Sequence, residues 1–290
     1  MLPCPEESPV PKALNSILRE IKSLEPLPQV AMRVVELGTK PDIVPRDLVA
    51  VIQTDAGVTA KVLKLCNSAF YGFRREIASL QEAGNMLGVD TLVNLVLTSC
   101  TSRYFRDYGT ANERASMQLW ESSVINALAA CLLAKMHGDV DKNRAYTVGL
   151  LQNVGMLVLV RFMGEADAAI EAEICKGATR LEAEQAALGM HHAEIGARLA
   201  ERWDLPEILV DSIRHHHTPE GAEVDPLLAS MGHLGEVVTS AFVMGEGLES
   251  IAYGLNDSAL GLAGLDRHTF ELLEEALSLE LDKAREFVEV

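Results

Sequence analysis

Apolar residues recur three or four positions apart through nearly every segment of this chain. Val58, Val62 and Leu65 share one helical face after Asp55, and other segments repeat the pattern. Alternation of apolar and polar residues, the signature of a half-buried strand, does not extend over any useful length. The pattern therefore predicts an all-α protein.

Prolines and glycines divide this pattern into segments of about 10 to 20 residues, the usual length of helices in globular proteins. We expect two packing units with a seam near Gly109, an N-terminal bundle from about 24 to 109 and a second bundle from about 118 to 219. The residues that mark the ends of the segments are Pro26, Pro28, Pro41, Pro45, Gly72, Gly88, Gly109, Gly138, Pro206 and Pro219.

The last seventy residues contain more acidic and small residues, with glycines at 245–247 and 261–264. A closing helix is predicted from about Thr269, and its apolar stripe favours a core element over a helix that docks on a partner. The stripe consists of Phe270, Leu273, Leu277, Leu281, Ala284 and either Phe287 or Val288.

Composition fits a helical protein with a substantial core. Apolar residues make up 48% of the 290 residues, whereas aromatic residues make up only 5%. The cysteines form no CxxC pair, so neither a zinc ribbon nor a disulfide framework is indicated, and a reducing compartment fits. The five cysteines are Cys4, Cys66, Cys100, Cys131 and Cys175.

No membrane segment or secretory signal is expected. Apolar runs such as Val154–Val160 are far shorter than the ~20 residues that a membrane span needs. The first residues, MLPCPEESPVPK, contain prolines and acids where a signal peptide has a basic region and an apolar core. We therefore expect a cytoplasmic protein.

The net charge of -17 makes nucleic acid an unfavourable partner, since phosphate binding uses clustered lysines and arginines. The charge is concentrated in residues 220–290, which hold 15 acidic and 3 basic residues and so account for -12 of it. An acidic surface of this kind keeps a protein soluble.

Six motifs occur in a fixed order along the chain, and together they resemble the HDOD family, the HD-related output domain of bacterial signalling proteins. The resemblance covers about 24–219, between a leader (1–23) and an acidic C-terminal helical region (220–290). It implies an all-helical, mostly non-catalytic signalling module. The motifs are LEPLPQ (24–29), DAGVTAKVLKLCNSAFYG (55–72), WESSVINA (120–127), GLLQNVG (149–155), LGMHHAEIGARLAERWDLP (188–206) and IRHHHTP (213–219).

The resemblance also implies that the HD-type metal site is degraded. HD phosphohydrolases hold one or two divalent ions with histidines and carboxylates from several helices, and a bound water becomes the nucleophile. The position of the first histidine is occupied by Ser122, and the positions of the His-Asp pair by Gln152 and Asn153. None of these side chains brings an imidazole or a carboxylate charge to a cation.

Three histidines of the HD pattern remain. His192 matches the next histidine of the family, and His216 with His217 matches the pair of the HD-GYP branch, although the GYP sequence does not follow. We expect them to be hydrogen-bonded structural groups and no metal or other cofactor to be bound. A vestigial metal or ligand pocket is the alternative. Their neighbours His191 and His215 are expected to point elsewhere.

The sequence NSAFYG supplies a second candidate site. Asn67 and Ser68 follow an apolar helix and precede a glycine, a composition that ends helices. One interpretation is a structural helix end with two core aromatic residues. The other is an interaction surface formed by these two residues together with Phe70 and Tyr71.

The function that these features favour is a non-catalytic regulatory module that contacts signalling proteins and can form a homo-oligomer. Two alternatives stay open: a residual metal-dependent phosphohydrolase that uses His192, His216 and His217, and a nucleotide sensor in which Gln152 and Asn153 bind the ligand. Because only about 23 residues precede the HDOD-like stretch, we expect the input signal to come from a separate protein or through the acidic C-terminal region.

Overall fold

The computed structural model describes residues 12–38, 40, 42–68, 70–108, 113–244 and 254–281. These residues form helices, turns and loops without a strand, so the all-α prediction is confirmed. A short 3-10 helix also spans Pro219–Gly221. The α-helices are α1 (Lys12–Ser23), α2 (Gln29–Gly38), α3 (Pro45–Ile52), α4 (Ala56–Cys66), α5 (Leu80–Tyr108), α6 (Glu113–His137), α7 (Lys142–Leu151), α8 (Met156–Cys175), α9 (Arg180–Leu188), α10 (His192–Arg202), α11 (Glu207–His215), α12 (Pro226–Met244), α13 (Asp257–Leu262) and α14 (Arg267–Leu281).

Several helices begin at a polar residue that accepts a hydrogen bond from the free backbone N–H groups of the first turn. Asp55 starts α4 in this way by accepting from the backbone of Val58 at 3.0 Å. Asp141 caps α7, and Thr179 with Glu182 forms a reciprocal capping box at the start of α9. These caps fix the points at which the site-bearing helices start.

Helix α5 is the centre of the N-terminal part and packs against α2, α3 and α4. It is two helical segments joined at Gly88, whose φ of 84° lies in the left-handed region that favours glycine. The glycine was predicted to end a segment, and the backbone changes direction there. The core residues Leu92 and Leu95 follow the kink and are fully buried.

The predicted leader contains a helix. Helix α1 packs against α8, α9 and α10, and Glu20 forms an ion pair with Arg161 of α8. Ile17 is completely buried in the common core. Residues 12–23 are thus part of the packed bundle, while 1–11 lie outside the described residues.

Helix α12 lies in the predicted acidic C-terminal region, yet it is a central helix of the second bundle. It packs on α6 and α7, and Leu234 and Val238 are fully buried. A side chain at Gly235 would place Cβ 2.9 Å from the backbone nitrogen of Ala130, so the glycine permits close packing on α6. The packing unit therefore continues beyond 219, and the predicted seam at Gly109 lies outside the described residues.

The closing helix is confirmed as α14, which packs against α6 and α12. Phe270, Leu277 and Leu281 are buried and Leu273 is partly buried, as a core element requires. The rest of the predicted stripe, Ala284, Phe287 and Val288, lies outside the described residues. The glycines at 245–247 lie outside them as well.

Two stretches of the described chain, Ser116–His137 and Lys142–Phe162, are long and apolar enough to cross a membrane by composition alone. In the fold, the apolar 18-residue window of the first stretch is 61% buried inside the protein, and that of the second is 72% buried. The second is also divided between α7 and α8 by the turn at 152–155. Both behave as core helices.

Candidate functional site: a buried histidine cluster

Two helix ends bring the surviving histidines together. His192 is the first residue of α10, whose N-cap His191 accepts a hydrogen bond from the backbone of Glu194 at 3.3 Å. His216 and His217 directly follow α11 and precede the 3-10 helix. A helix start therefore faces a helix end, and both are anchored in the core.

The three imidazoles converge. His192 Nε2 lies 2.9 Å from His217 Nε2, and one ring nitrogen from each of the three histidines lies within 4.8 Å of the others. His192 and His216 are completely buried and His217 is 9% exposed. We call the group formed by His192, His216, His217 and the nearby Glu236 the histidine cluster.

Glu184 of α9 orients His192 from behind. Its Oε2 accepts hydrogen bonds from the Nδ1 of His192 at 2.7 Å and from the backbone N–H of the same residue at 3.0 Å. Burial opposes the charge on Glu184, but the attraction and hydrogen bonds of His192, with a hydrogen bond from Arg180, lower its pKa to about 2. Because a carboxylate only accepts, Nδ1 donates to it, and on a neutral ring Nε2 then presents a lone pair.

His216 is oriented in the same sense by the backbone. Its Nδ1 donates to the carbonyl oxygen of Ile213 at 2.7 Å, so its Nε2 also carries a lone pair. This buried Nε2 has no hydrogen-bond partner among the described residues, and it lies 3.8 Å from Glu236 Oε2. Two ring nitrogens with lone pairs thus lie in the interior of the cluster.

The two amides at the expected His-Asp positions both contact Glu236, which α12 supplies. Asn153 Nδ2 donates to Glu236 Oε1 at 2.7 Å, and Gln152 Nε2 donates to Oε2 at 3.3 Å. Gln152 also donates to the carbonyl oxygen of Gly232 at 3.3 Å. The carboxylate missing from the sequence motif is therefore present in space, on a different helix, and the amides hold it.

The surroundings favour neutral groups in the cluster. Burial first, and repulsion from neighbouring histidines second, lower the pKa of His216 and of His217 well below the usual value. Burial also raises the pKa of Glu236, although Asn153 and Gln152 donate hydrogen bonds to it. Neutral groups in a buried cluster avoid the cost of desolvating ions.

The donor set fits the kind of metal ion that HD enzymes hold. Neutral imidazoles that are fixed from behind by a carboxylate or a carbonyl are typical metal ligands, and three nitrogens with one carboxylate oxygen suit zinc or a related transition metal. His192, His216, His217 and Glu236 would hold the ion. Such an ion acidifies a bound water when one coordination position stays open to it.

Ser122, the third changed HD position, lies half-buried on α6 and takes no part in these hydrogen bonds. One turn later, the amide of Asn126 is buried and neither of its polar atoms has a hydrogen-bond partner among the described residues. A Cβ at Gly235 would lie 3.0 Å from Asn126 Oδ1. His191 caps α10 and His215 bonds Asp211 at 2.9 Å, so both histidines point away from the cluster.

Sequence reasoning missed Glu184, Glu236 and Asn256. Glu236 gives one signal, since it is the only acidic residue in the otherwise uncharged helix α12. Asn256 donates to the backbone carbonyl of His217 at 3.2 Å, and its own N–H donates to His233 Nε2 at 3.1 Å. It ties the end of the histidine pair to α12, a contact that no sequence spacing indicates.

Asn67 holds together the loop that follows α4. Its side-chain amide donates to the carbonyl oxygens of Leu63 and Ile77 at 2.9 Å, and its Oδ1 accepts from the Ile77 backbone at 2.7 Å. Ser68 donates to Leu65 at 2.7 Å. These polar side chains therefore stabilise the end of α4.

Phe70 and Tyr71 pack edge to face with ring centroids 5.1 Å apart, and both are partly buried against the core. Burial raises the pKa of the neighbouring Cys66 thiol to about 12, so it is not an activated nucleophile. The interaction surface at NSAFYG stays a prediction.

Comparison with known proteins places these observations in a family. The family model described as the HDOD domain matches residues 24–219. A curated relative from Treponema pallidum (strain Nichols), an uncharacterized protein, is 32% identical over 241 residues, 81% of this chain. The match covers 45% of that relative, so the chain spans about half the length of the relative it matches.

Solved structures share the fold. An HDOD domain protein of unknown function from Geobacter sulfurreducens has a TM-score of 0.71 at 25% identity, with 95% of this chain and 96% of that one covered. A candidate phosphohydrolase from Shewanella amazonensis SB2B has a TM-score of 0.70 at 25% identity, covering 94% and 97%. A candidate signal transduction protein from Marinobacter aquaeolei VT8 has a TM-score of 0.73 at 24% identity, covering 96% and 65%.

Proposed function

Since this chain belongs to the HDOD family, we propose that it is a non-catalytic module of bacterial signal transduction that acts in the cytoplasm through protein–protein contacts. The observation that carries the proposal is the pair of hydrogen bonds from Gln152 and Asn153 to Glu236. At the two positions where an HD metal site has its His-Asp ligands, the side chains of this chain complete an internal hydrogen-bond network instead.

Burial of the cluster supports the same conclusion. Hydrolysis of a phosphodiester needs a metal-bound water that the substrate reaches. The four donors of the histidine cluster are between 0% and 9% exposed. His192 Nε2 and His217 Nε2 are also joined by a hydrogen bond of 2.9 Å, which an ion would have to replace. An ion held here would serve the fold.

We propose the partner surface at Phe70 and Tyr71. These half-buried aromatic residues stand beside the exposed side chains of Arg74 and Arg75, within a strongly acidic chain. Aromatic and arginine side chains are enriched in the centres of protein interfaces. Their combination favours an acidic protein partner, and a second copy of this chain is the alternative partner.

Capture on the untagged, immobilised chain tests the proposal. We expect a stoichiometric protein partner from native cytoplasm that is lost with Arg74→Glu and retained with the control Arg198→Gln, which changes an exposed cation on α10. Consistent failure to capture a partner, together with a monomeric chain in light scattering, would contradict the proposal.

Convergence of the histidines favours one second candidate, a residual metal-dependent phosphohydrolase. Protein purified without added metal or a His tag should be assayed by elemental mass spectrometry and with a generic phosphodiester. The proposed function predicts no turnover, with or without bound zinc, iron or manganese. Turnover that disappears with His216→Ala would establish the second candidate, and turnover that survives this change would reveal a contaminant.

The nucleotide-sensor alternative is separable by calorimetry. Gln152 and Asn153 already donate to Glu236, so these donors are occupied. A panel of cyclic nucleotides should give no heat of binding; saturable heat that is lost with Asn153→Ala would favour the sensor.

A further inference from the structure

A cavity of about 100 Å³ lies in the N-terminal part, outside the histidine cluster. It is bounded by α4, by α5 and by the loop before α2, so it joins the first two sequence motifs, LEPLPQ and DAGVTAKVLKLCNSAFYG. Neither motif has a role in HD-type chemistry. The lining residues are Pro28, Asp55, Gly57, Val58, Lys61, Ser99, Cys100 and Arg103.

The ionic side chains of this cavity give it a net positive charge. Lys61 and Arg103 carry two positive charges and Asp55 carries one negative charge, whereas the whole chain carries -17. Lys61 is half-buried and donates to Ser102 at 3.2 Å, and Arg103 stands exposed one turn beyond Ser99. Two cations beside a small cavity make a local attraction for an anion.

Ser99 adds an observation that is independent of charge. Its side chain is 3% exposed, it lines the cavity, and its hydroxyl has no hydrogen-bond partner among the described residues. A buried hydroxyl without a partner is costly, so a polar ligand in the cavity would relieve that cost. The hydroxyl can donate to an anion.

The start of α4 contributes backbone donors. Gly57 lies in the first turn of this 11-residue helix and lines the cavity. Asp55 takes up the N–H of Val58, while the preceding N–H groups of the turn have no intrahelical partner. Free N–H groups and the helix dipole favour negative charge at this end.

We propose that this cavity is a binding site for a small tetrahedral oxyanion that keeps a proton, namely hydrogen phosphate or the singly ionised phosphate group of a small monoester. Lys61, Arg103 and the Ser99 hydroxyl donate to its oxygens. The Asp55 carboxylate can only accept, so it selects an anion with a P–OH group over sulfate, which has no proton near pH 7.

Cys100 does not add a negative charge to the cavity. Burial, with the charge of Asp55, raises the pKa of its thiol to about 12 against the opposite influence of Lys61 and Arg103. The thiol stays neutral, and the cavity keeps its positive charge.

Calorimetric titration of the full chain at constant ionic strength tests the site, with inorganic phosphate, glycerol phosphate and sulfate as probes. We expect one saturable site for phosphate and none for sulfate. Lys61→Met and Arg103→Gln should each weaken binding about tenfold or more, and Ser99→Ala by a few-fold. Lys176→Met, which changes an exposed lysine paired with Glu173, is the control and should bind normally.

The relative affinities identify the ligand. Tighter binding of inorganic phosphate assigns the free anion, and tighter binding of glycerol phosphate assigns a monoester. No saturable heat with either probe, or equal heat in Lys61→Met and wild type, would overturn the proposal. Circular dichroism must show that each variant is folded, and Ser99→Ala keeps the test valid if Lys61→Met fails to fold, since it removes only one oxygen.

Discussion

The histidine cluster and the oxyanion cavity are both polar sites within one helical core, and they differ in the space beside their polar groups. Around the cluster, Glu236 and Glu184 accept hydrogen bonds from protein donors. His216 Nε2 and the amide oxygens of Gln152 and Asn153 have no partner among the described residues, but they lie in closely packed surroundings. In the cavity, the buried hydroxyl of Ser99 faces open space. Both sites therefore contain polar atoms without a partner, but the cavity also has about 100 Å³ of open space and a net positive charge, which make it available to a ligand.

Glycines show how closely the cluster is built. Gly149 and Gly155 stand at the two ends of the GLLQNVG run, and a Cβ at either position would meet backbone atoms. At Gly149 the nearest is the carbonyl oxygen of Asn126, 2.7 Å away. The run therefore retains the packing of an HD scaffold while its two central side chains have changed chemistry. The residues that line the oxyanion cavity are not packed as closely as this.

The largest loss of stability is expected when the cluster loses its orienting carboxylate. Glu184→Ala leaves the ring and backbone N–H groups of His192 without their acceptor in a fully buried place. We expect the free energy of unfolding to fall by about 3–5 kcal/mol, since each buried donor left without an acceptor costs about 1–3 kcal/mol and the lost acceptor is charged. Urea denaturation measures it. Glu173→Ala, which removes a surface partner of Lys176, should change stability by about 0.5 kcal/mol or less.

A smaller but still large loss is expected from Gly155→Ala. The added methyl group would meet the His192 carbonyl and would lie 2.7 Å from the backbone nitrogen of Gly196. Backbone cannot move aside as a side chain does, so we expect a cost of about 3 kcal/mol. Gly261→Ala, on α13, has open space around it and serves as the control. Equal thermal unfolding of the two variants would show that the cluster is not closely packed.

The helices could be read from the sequence because burial has a helical period. Val58, Val62 and Leu65 were placed on one face by spacing alone, and all three are buried. Helix α12 was missed as a core element because the acidity of 220–290, averaged over the whole region, concealed an apolar helix with Glu236 as its only acid. Average charge describes a region, whereas burial is decided helix by helix.

The residues of the candidate site were likewise only partly predictable from the sequence. The histidines were found because the HDOD resemblance marks them, but Glu184 and Glu236 were not, since their role depends on how α9 and α12 approach α10 and α11. A contact between Gln152 and Glu236, 84 positions apart, leaves no local pattern. The unpartnered hydroxyl of Ser99 likewise becomes visible only in the folded chain.

The loop after α4 lies between the two sites in expected cost. Asn67→Ala removes the hydrogen bonds to Leu63 and Ile77, at a half-exposed position where water replaces part of them. We expect a loss of about 1–2 kcal/mol, measured by urea denaturation. Ser68→Ala removes one bond and should cost less. If Asn67→Ala were neutral, its amide would be free to serve a partner surface.

The smallest expected change in stability gives the sharpest test of the difference between the two sites. Arg103→Gln changes an exposed side chain at the mouth of the cavity, so we expect the free energy of unfolding to change by about 0.5 kcal/mol or less. A ligand that binds only the folded state raises the melting temperature by mass action. Saturating phosphate should therefore stabilise the wild type and leave Arg103→Gln nearly unaffected. If Arg103→Gln instead cost as much as Glu184→Ala, the cavity would be a structural site like the histidine cluster, and the contrast between the two regions would fail.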